Sequence, residues 1–294
     1  MIPDTRVAVI GLGLMGGSLA RALAARGVRV LGCDSNSEHL SAALRDGVVH
    51  EELGAGLAGL ETAEVVLLAV PVGATVSLLS RIASHVGNAR LIMDVASTKR
   101  TIIAAAEAAG IGARYVGAHP LTGSHRSGWG ASRASLFEDA RVFLCPTMRT
   151  TPETLQLAES FWRELRAGVE LLDASSHDEQ MAWRSHLPHL LSSALAVTLR
   201  DAGVRRSALG PGGRDMTRLA GGSTAMWSAI VADNAAAIVD AVSACEQRLV
   251  ALRAALQRGD ADAVRDFLRA GSEWFDGEPG ALAAPAEPLT SGRA

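Results

Sequence analysis

A histidine followed by a proline marks the position in this chain that best suits acid–base chemistry. His119 lies in the segment 117–124, Gly-Ala-His-Pro-Leu-Thr-Gly-Ser, which follows the apolar pair Tyr115-Val116. A polar, glycine-containing stretch over residues 125–130 comes next. A neutral imidazole titrates near physiological pH and can accept a proton from a substrate. Because Pro120 restricts the backbone at the end of an expected strand, His119 is a candidate general base rather than a core residue.

The chain opens with a glycine pattern that is typical of dinucleotide binding. Gly11, Gly13 and Gly16 follow the apolar run 6–10 and precede a helical pattern over residues 14–26. In this fingerprint the first glycine permits a tight turn, the second lets a pyrophosphate approach the backbone, and the third lets helix and strand pack closely. The alternative is a glycine-rich turn without a ligand, which the strand-turn-helix context makes the weaker interpretation.

The same region predicts which dinucleotide is bound. Asp34 ends the next predicted strand about 20 residues after the glycines, where the fingerprint places an acidic residue. Its carboxylate can accept hydrogen bonds from ribose hydroxyls and would repel a 2′-phosphate, and no arginine follows at residues 35–37. NAD is therefore favoured over NADP. The predicted cofactor-binding residues are Gly11, Gly13, Leu14, Met15, Gly16, Asp34, Val70, Pro71 and Lys99.

Two segments in the second half carry pairs of residues that suit a small anionic substrate. His186 and His189 are three residues apart and share a helix face if the helix continues through Pro188. Arg214 and Arg218 are four residues apart, so two guanidinium groups on one helix face could clamp a dicarboxylate. Solvated arginines and hydrogen-bonded core histidines are the alternative interpretation of these pairs.

Composition limits the class of partner. The 294 residues are 48% hydrophobic and 20% charged, with a net charge of −3, which predicts a soluble globular protein that binds neither nucleic acid nor an anionic membrane. The apolar stretch at residues 65–72 is too short to span a bilayer. Cys33, Cys145 and Cys245 lack paired spacing, so we expect reduced thiols and a cytoplasmic location without a signal peptide. Without an HExxH motif or a cysteine cluster in the sequence, we expect no metal site.

Lysine usage in this chain is unusual. Lys99 is the only lysine among 28 basic residues, and the others are arginines. A GC-rich genome would explain abundant arginine and alanine, but it explains the one remaining lysine less well. That lysine falls in a loop that we assign to the active site.

Strands and helices alternate over the first 173 residues. Strand patterns cover residues 6–10, 28–33, 64–70, 90–95, 113–118, 141–145 and 168–172, and helical patterns cover 14–26, 37–46, 73–86, 98–109 and 152–166. This alternation predicts an α/β fold with a Rossmann-type, doubly wound, mostly parallel sheet that is covered on both faces.

From residue 174 onwards the pattern becomes helical. Ser176-His-Asp-Glu179 has the form of a capping box, which predicts that a helix starts there, and Pro188 is expected to kink that helix. Residues 204–213 are predicted to form a loop. Residues 225–258 read as one long, alanine-rich helix, which is too long to be buried within a small domain.

We therefore predict three parts. Residues 1–173 form a dinucleotide-binding domain, residues 174–275 an all-α domain for substrate binding and dimerisation, and residues 276–294 a disordered tail rich in Gly, Pro and Ala. Because the long helix needs another surface to cover it, we expect a homodimer that forms through the helical domain.

Five segments, in this order, resemble the prephenate dehydrogenase family, which includes arogenate dehydrogenases. They are GLGLMGGSLARAL from residue 11, DVASTK from residue 94, GAHPLTGSHRSG from residue 117, SHLPHLL from residue 185 and GGRDMTRLA from residue 212. The first is generic to nicotinamide enzymes, whereas the other four are much more specific. The resemblance, which spans about residues 6–270, implies a Rossmann-type N-terminal domain and an all-helical C-terminal domain that forms a homodimer.

The resemblance also implies an activity: oxidative decarboxylation of prephenate to 4-hydroxyphenylpyruvate, with NAD accepting the hydride, in tyrosine biosynthesis. By motif position, His119 corresponds to the catalytic histidine that bonds the ring hydroxyl, and Ser97 to a serine that touches the same hydroxyl and orients the histidine. Arg218 corresponds to the arginine that binds a substrate carboxylate. The predicted substrate-binding residues are Arg218, His189, His186, Arg214 and Ser124, and the predicted catalytic residues are His119 and Ser97.

The sequence departs from the family at residues 124–128, Ser-His-Arg-Ser-Gly, where relatives often carry an acidic residue. His125 and Arg126 make the expected pocket mouth more cationic. The chain leaves no room for the regulatory ACT domain of many relatives, so we do not expect tyrosine feedback through one.

Several alternatives stay open on the sequence. The motifs do not distinguish prephenate from arogenate or from 4-amino-4-deoxyprephenate. A β-hydroxyacid dehydrogenase would need a catalytic lysine in the second half, and none follows residue 99. A non-catalytic NAD-binding sensor or scaffold would be favoured by the loss of Ser97, His119 or Arg218, yet all three are present.

Overall fold

A computed structural model describes residues 5–123 and 126–277, and an eight-stranded sheet lies at the centre of this part of the chain. The strands are β1 (Arg6–Ile10), β2 (Arg29–Cys33), β3 (Glu51–Glu52), β4 (Val65–Leu68), β5 (Leu91–Asp94), β6 (Tyr115–Pro120), β7 (Arg141–Pro146) and β8 (Gly168–Leu171). Their order across the sheet is β3-β2-β1-β4-β5-β6-β7-β8. All neighbours pair in parallel except β6 and β7, which are antiparallel.

Helices connect and flank these strands. They are α1 (Leu14–Ala24), α2 (Ser37–Arg45), α3 (Val72–Ile82), α4 (Arg100–Ala108), α5 (Pro152–Glu164), α6 (Ala174–Met181), α7 (Leu187–Asp201), α8 (Pro211–Met216), α9 (Thr224–Asp233), α10 (Ala235–Arg258) and α11 (Ala261–Asp276). The predicted alternation over the first 173 residues is thus present, with element ends that differ from the prediction by a few residues.

Strand β1 illustrates how the sheet is covered on both faces. Val7 and Val9 pack into one core cluster, and Ala8 and Ile10 pack into the other. Successive side chains of a strand point to opposite faces, so each face is buried under its own layer. Continuously apolar strands are typical of a parallel sheet between two helical layers. The predicted α/β class, with a doubly wound and mostly parallel sheet, is confirmed.

The start of α6 differs from the prediction. Asp173 is the N-cap, and its Oδ1 accepts the backbone N–H groups of Ser175 at 3.0 Å and Ser176 at 2.9 Å. Ser176 therefore lies in the first helical turn, and the predicted capping box at residues 176–179 is wrong. Asp caps a helix about as well as Ser, so the S-x-x-E spacing alone does not locate the first residue.

A π-helical turn, Ala182–His186, separates α6 from α7. Pro188 is the second residue of α7 and has no N–H to donate to the preceding turn, whereas the N–H of Leu187 bonds to the Ala182 carbonyl. The chain thus forms a π-turn just before Pro188, and the kink expected at this proline stays a prediction. Such turns are frequent at functional sites.

The predicted single helix over residues 225–258 is wrong, because the chain forms α9 and α10 with a break at Asn234. The buried Asn234 side chain bonds to groups outside both helices, which favours a break there rather than a continuous helix. The predicted loop 204–213 likewise ends early, since α8 begins at Pro211. No single described helix is long and apolar enough to cross a membrane, and only α9 and α10 taken together across their bend reach that length and composition.

The chain forms two compact units, residues 1–239 and residues 240–294, of which the second is described as far as residue 277. The first unit holds the whole sheet and α1 to α9. The second contains α11, where Phe267, Leu268, Trp274 and Phe275 are exposed. Trp274 and Phe275 are 83% and 82% exposed. Exposed aromatic residues grouped on one helix are typical of a surface that another chain covers.

Candidate active site

The turn between β1 and α1 is shaped by three glycines under different constraints. Gly11 has a φ of +92°, and a Cβ added there would lie 2.5 Å from the Ala69 carbonyl oxygen. A Cβ added to Gly16 would lie 1.8 Å from the Gly11 carbonyl oxygen, so α1 packs directly on the turn. A Cβ added to Gly13 would meet none of the described atoms within 4 Å. Open space at Gly13 is what the fingerprint needs for the approach of a pyrophosphate.

The N-terminus of α1 is suited to an anion. Gly13 is the N-cap, and within the described ranges no side chain bonds to this helix end and its first turn holds no acidic residue. Leu14 and Met15 are partly exposed in that turn. Unpaired N–H groups and the helix dipole favour a phosphate at this position. Val70 and Pro71 follow β4 at the same edge of the sheet.

Asp34, just after β2, directs its carboxylate towards the glycine turn. Its Oδ2 accepts the backbone N–H of Leu12, and its Oδ1 accepts that of Asn36 at 2.7 Å. The Nδ1 of His39 lies 3.5 Å from Oδ2. An ionised carboxylate offers about four acceptor positions, so positions remain for two ribose hydroxyls. The glycine turn and Asp34 together fit the adenosine half of NAD.

His119 lies near the end of β6 and begins a chain of three polar side chains. Its Nδ1 is 2.9 Å from the Nε2 of His177, and the Nδ1 of His177 is 2.8 Å from the Oδ1 of Asp178. Asp178 also accepts the backbone N–H groups of Lys99 at 2.8 Å and Arg100 at 2.9 Å. Asp178 of α6 thus caps α4 and orients the histidines at the same time.

Burial lowers the pKa of His119 well below its usual value, and electrostatic interactions with His177, Lys99 and His186 lower it further. Burial also lowers the pKa of His177, against the opposing hydrogen bond from Asp178. Burial would raise the pKa of Asp178, but the hydrogen bonds from His177 and from the α4 backbone hold it below its usual value. At neutral pH the chain therefore consists of two neutral imidazoles and one carboxylate.

These charge states assign the protons along the chain. The ionised Asp178 can only accept, so His177 carries its proton on Nδ1 and leaves Nε2 bare. His119 then donates from Nδ1 to that bare nitrogen. The remaining nitrogen of His119, Nε2, keeps its lone pair and can accept a proton from a bound substrate.

The loop between β5 and α4 carries Ser97, which is partly exposed, and Lys99, which is fully buried. The ammonium of Lys99 pairs with the Asp94 carboxylate. A desolvated ammonium needs its counterion, and Asp94 supplies it. The cofactor-binding role of Lys99 stays a prediction, made for a side chain that forms a buried ion pair.

His186 and His189 both lie against Trp227, with ring centroids 6.0 Å and 3.6 Å away. The buried His186 accepts a hydrogen bond at Nδ1 from the Asn234 amide at 3.2 Å. His189 donates from Nδ1 to the Ser185 carbonyl at 3.0 Å. The two predicted histidines are thus brought together across the π-turn.

Both histidines are neutral at pH 7. Burial lowers the pKa of His186 to about 4, and burial also lowers the pKa of His189, which the Arg218 charge lowers further. His189 and Trp227 line a cavity of about 250 Å³ together with the hydroxyl-bearing residues Ser193, Thr224 and Ser228. The cavity combines an aromatic wall with several hydrogen-bonding groups.

The predicted pairing of Arg214 and Arg218 on one helix face is wrong. Arg214 lies within α8 and donates from Nε to the Leu209 carbonyl at 2.8 Å, whereas Arg218 follows the end of that helix. Both guanidinium groups are exposed. Arg218 lines a second cavity, of about 330 Å³, together with Arg206. Arg218 is therefore the better placed of the two to meet an anion beside His189.

Sequence reasoning missed four residues of this site: His177, Asp178, Trp227 and Asn234. The first two stood in the segment interpreted as a capping box, so a His-Asp pair was overlooked in favour of a local helix signal. Trp227 and Asn234 lie in an apolar helical pattern that carried no such signal. Ser124, predicted to bind substrate, and its neighbour His125 lie outside the described residues.

Comparison with known proteins points to one family. The family model described as "Prephenate dehydrogenase, nucleotide-binding domain" matches residues 19–171, and the model described as "Prephenate dehydrogenase, dimerization domain" matches residues 173–270. The chain is 31% identical to a prephenate dehydrogenase of Bacillus subtilis, over 93% of this chain and 76% of that protein.

Solved structures agree with the sequence comparison. The prephenate dehydrogenase of A. aeolicus, crystallised with hydroxyphenyl propionate and NAD+, superposes with a TM-score of 0.85 at 27% identity, over 94% of this chain and 99% of that chain. The arogenate dehydrogenase of Synechocystis gives a TM-score of 0.79 at 28% identity, over 92% and 99% of the two chains. Motifs, fold and similarity along nearly the whole length agree, and the chain belongs to the prephenate dehydrogenase family.

Proposed function

We propose that this chain catalyses the NAD-dependent oxidative decarboxylation of prephenate to 4-hydroxyphenylpyruvate, a step of tyrosine biosynthesis. The observation that carries the proposal is His119, a buried neutral imidazole linked through His177 to Asp178. It lies on the sheet edge that also bears the glycine turn, because β1 and β6 run in the same direction. The names of the B. subtilis and A. aeolicus relatives support the same activity.

NAD is the cofactor that the first unit fits. The N–H groups at Leu14 and Met15 would hold the pyrophosphate over Gly13, and Asp34 would accept the ribose hydroxyls. When bound, NAD accepts a hydride from the substrate. Support for NAD also comes from the A. aeolicus neighbour, which was crystallised with NAD+.

His119 is proposed as the base of the reaction. As hydride leaves C4 of the substrate ring, the C4 hydroxyl must lose its proton, and the bare Nε2 of His119 is placed to take it. The resulting imidazolium is stabilised through His177 by the Asp178 carboxylate. Loss of the ring carboxylate as carbon dioxide makes the ring aromatic, so the protein mainly needs to orient groups and match charge.

The other predicted residues take supporting roles in this proposal. Ser97 contacts the C4 hydroxyl, and Arg218 binds a substrate carboxylate. His189 lines the pocket with Trp227, and the buried His186 lies against the same ring. Arg214 and Ser124 stay candidates for substrate binding. The Arg218 charge contributes to the lowered pKa of His189, and the two cavities that these residues line share Ala220, which supports a role for both at one site.

We also propose that the chain acts as a cytoplasmic homodimer through its helical part. The match of residues 173–270 to a dimerization-domain model supports the dimer, as do the exposed aromatic residues of α11. The domain boundary near residue 173 is supported by where the two family models meet. Free thiols at Cys33, Cys145 and Cys245 fit a reducing compartment.

A direct assay tests the proposal. Purified protein is incubated with prephenate, with arogenate and with 4-amino-4-deoxyprephenate, each with NAD and with NADP, and the formation of reduced cofactor is followed by its absorbance. We expect turnover of prephenate with NAD and little with NADP. Reduction of neither cofactor with any of these substrates would overturn the proposal.

Arogenate is the second candidate substrate, favoured by the similarity to the Synechocystis arogenate dehydrogenase. Prephenate and arogenate differ only at the side chain, so the proposed chemistry at C4 is the same for both. A kcat/KM for arogenate at least tenfold above that for prephenate, which corresponds to about 1.4 kcal/mol, would assign arogenate as the substrate.

A further inference from the structure

Lys99 and Tyr115 are the only lysine and the only tyrosine of the chain, and both contact the carboxylate of Asp94. All three side chains are 0% exposed. Burying an ammonium and a carboxylate is costly unless each is fully paired. We call these three residues the Asp94 cluster. The chain has only one lysine and one tyrosine, and both are buried with Asp94, which indicates a role inside the protein rather than at its surface.

The cluster closes the loop that carries Ser97. Asp94 ends β5, and its Oδ1 accepts the backbone N–H of Ala96 at 2.8 Å while it also pairs with the Lys99 ammonium. Its Oδ2 accepts the Tyr115 hydroxyl at 2.6 Å. The carboxylate therefore fixes the first half of the loop through Ala96, its far end through Lys99, and the start of β6 through Tyr115.

The space around the lysine stem explains why an arginine does not stand here. A Cβ added to Gly117 would lie 2.8 Å from the Cδ of Lys99 and 3.3 Å from the Oδ2 of Asp94, so the stem lies directly on the β6 backbone. An ammonium is a compact charge, whereas a guanidinium is planar and brings five N–H donors that would all need acceptors. All the other lysine-or-arginine positions of the chain hold arginine. This site instead requires the smaller cation, the lysine ammonium.

We propose that the Asp94 cluster is a positioning device that holds Ser97 and His119 in register with each other and that does not touch the cofactor. Lys99 and Asp94 fix the loop on one side of Ser97. Tyr115 and Gly117 fix the strand that carries His119 two residues further on. The proposal rests on the proposed function, because it assigns Ser97 and His119 to the reacting hydroxyl.

The charge of Lys99 supports this role. Burial is the largest cause of the lowered pKa of His119, His177 is the next, and Lys99 follows. Among residues 5–123 and 126–277, His119 interacts with His177, which Asp178 orients from the same helix, with Lys99 from the loop before α4 and with His186 from the π-turn, and the uncharged Phe143 pairs with it from the neighbouring strand β7. A fixed cation in this set favours the neutral, proton-accepting form of His119.

Three variants and one control test the proposal. Tyr115→Phe removes only the hydroxyl, Lys99→Arg keeps the charge but not the shape, and Lys99→Met keeps the stem but not the charge. Ile102→Val, a buried change in α4 outside the cluster, is the matched control for a general loss of stability. Each is measured for kcat, KM, the Kd for NAD and the melting temperature.

We expect Tyr115→Phe and Lys99→Arg to lower kcat roughly tenfold or more, with the Kd for NAD within about twofold of wild type. Ile102→Val should keep the wild-type kcat at a comparable melting temperature. Lys99→Met should in addition shift the acid limb of the pH profile of kcat/KM to higher pH, because the cation that opposes protonation of His119 is gone. Lys99→Arg should leave the acid limb at its wild-type pH, because the positive charge is kept. A purely structural role of Lys99 would not produce this difference between Lys99→Met and Lys99→Arg.

The titration of His119 by NMR gives a readout that does not depend on turnover. Lys99→Met should raise its pKa, with His119→Asn used to assign the resonance. Wild-type kcat in folded Tyr115→Phe and Lys99→Arg would overturn the proposal, and so would an unchanged titration in Lys99→Met. A Kd for NAD raised more than tenfold at normal kcat would instead assign Lys99 to the cofactor. If wild-type protein reduces no cofactor, the proposed function fails, while the titration still decides whether Lys99 acts on His119.

Discussion

The cofactor side and the substrate side of this protein are built in different ways. On the cofactor side, the carboxylate of Asp34 bonds to the Leu12 amide 22 residues earlier, within one strand-helix-strand unit. On the substrate side, His119 bonds to His177 across 58 residues, and Arg100 bonds to Asn234 across 134 residues. The cofactor side is therefore built from backbone groups that are close in sequence, and the substrate side is built from segments that are distant in sequence.

This difference decides what each side tolerates. The glycine turn is constrained by backbone sterics, since an added Cβ at Gly11 or Gly16 would collide with main-chain atoms. The histidine chain is constrained by charge and by hydrogen-bond direction. Substitutions on the cofactor side should therefore weaken NAD binding, whereas substitutions on the substrate side should change kcat or KM.

The largest effect is expected from His119→Asn. Removing the base should lower kcat about a hundredfold or more, because proton transfer in the transition state is lost. The Kd for NAD should stay within about twofold, since the cofactor side is a separate local device. Steady-state kinetics and a titration with NAD, followed by the quenching of protein fluorescence, measure the two quantities. Near-normal turnover in this variant would remove His119 as the base.

Gly13→Ala should show the opposite signature. The added Cβ has space in the protein but lies where the pyrophosphate would approach, so the fold should be intact while NAD binding weakens roughly tenfold or more. Gly87→Ala is the matched control, because its Cβ also meets none of the described atoms within 4 Å, and it lies away from the glycine turn. Equal NAD affinity in the two variants would mean that the open space at Gly13 is not the cofactor path.

The same contrast explains how much of the molecule the sequence could predict. The glycine fingerprint, Asp34 and the apolar strands depend on local backbone geometry and period, and these were read correctly as an α/β fold. His119 was also singled out, because a histidine before a proline is a local signal, although the predicted strand ended at residue 118 and β6 continues to Pro120. Its partners His177 and Asp178 were not found, since no local pattern states that α6 packs against β6.

The errors have two origins. A competing local cap displaced the predicted capping box, because Asp173 rather than Ser176 begins α6. Long-range bonds divide the predicted helix over residues 225–258, because the Asn234 amide bonds to the Asp178 carbonyl at 2.7 Å and to His186, outside its own helices. The predicted cofactor role of Lys99 rests on its loop position, and its buried counterion Asp94 could be recognised only in three dimensions.

Arg218→Ala should give an intermediate effect on the substrate side. Loss of a charged hydrogen bond to a carboxylate costs about 1.5–3 kcal/mol, so the KM for substrate should rise roughly ten- to hundredfold while kcat changes less. Arg214→Ala is the control, because its guanidinium is already bonded to the Leu209 carbonyl. An unchanged KM in Arg218→Ala would exclude a direct role in carboxylate binding.

The smallest effect is expected on stability at acid pH. Burial lowers the pKa of His186 from 6.5 to about 4, so the unfolded chain binds this proton before the folded one does. The stability that the neutral His186 contributes is therefore complete above pH 6.5 and is lost progressively as the pH falls towards 4. One such proton corresponds to a slope of at most about 1.4 kcal/mol per pH unit in the free energy of unfolding.

His186→Gln tests this slope, because the amide oxygen can still accept the hydrogen bond from Asn234 but takes up no proton. Urea unfolding between pH 4 and 6.5 should show a shallower loss of stability in this variant than in wild type, while Gly87→Ala should keep the wild-type slope. A parallel loss in all three proteins would show that His186 takes up its proton without unfolding. The buried histidines of the substrate side could then be protonated without loss of stability. Charge would no longer be the constraint that distinguishes the substrate side from the cofactor side.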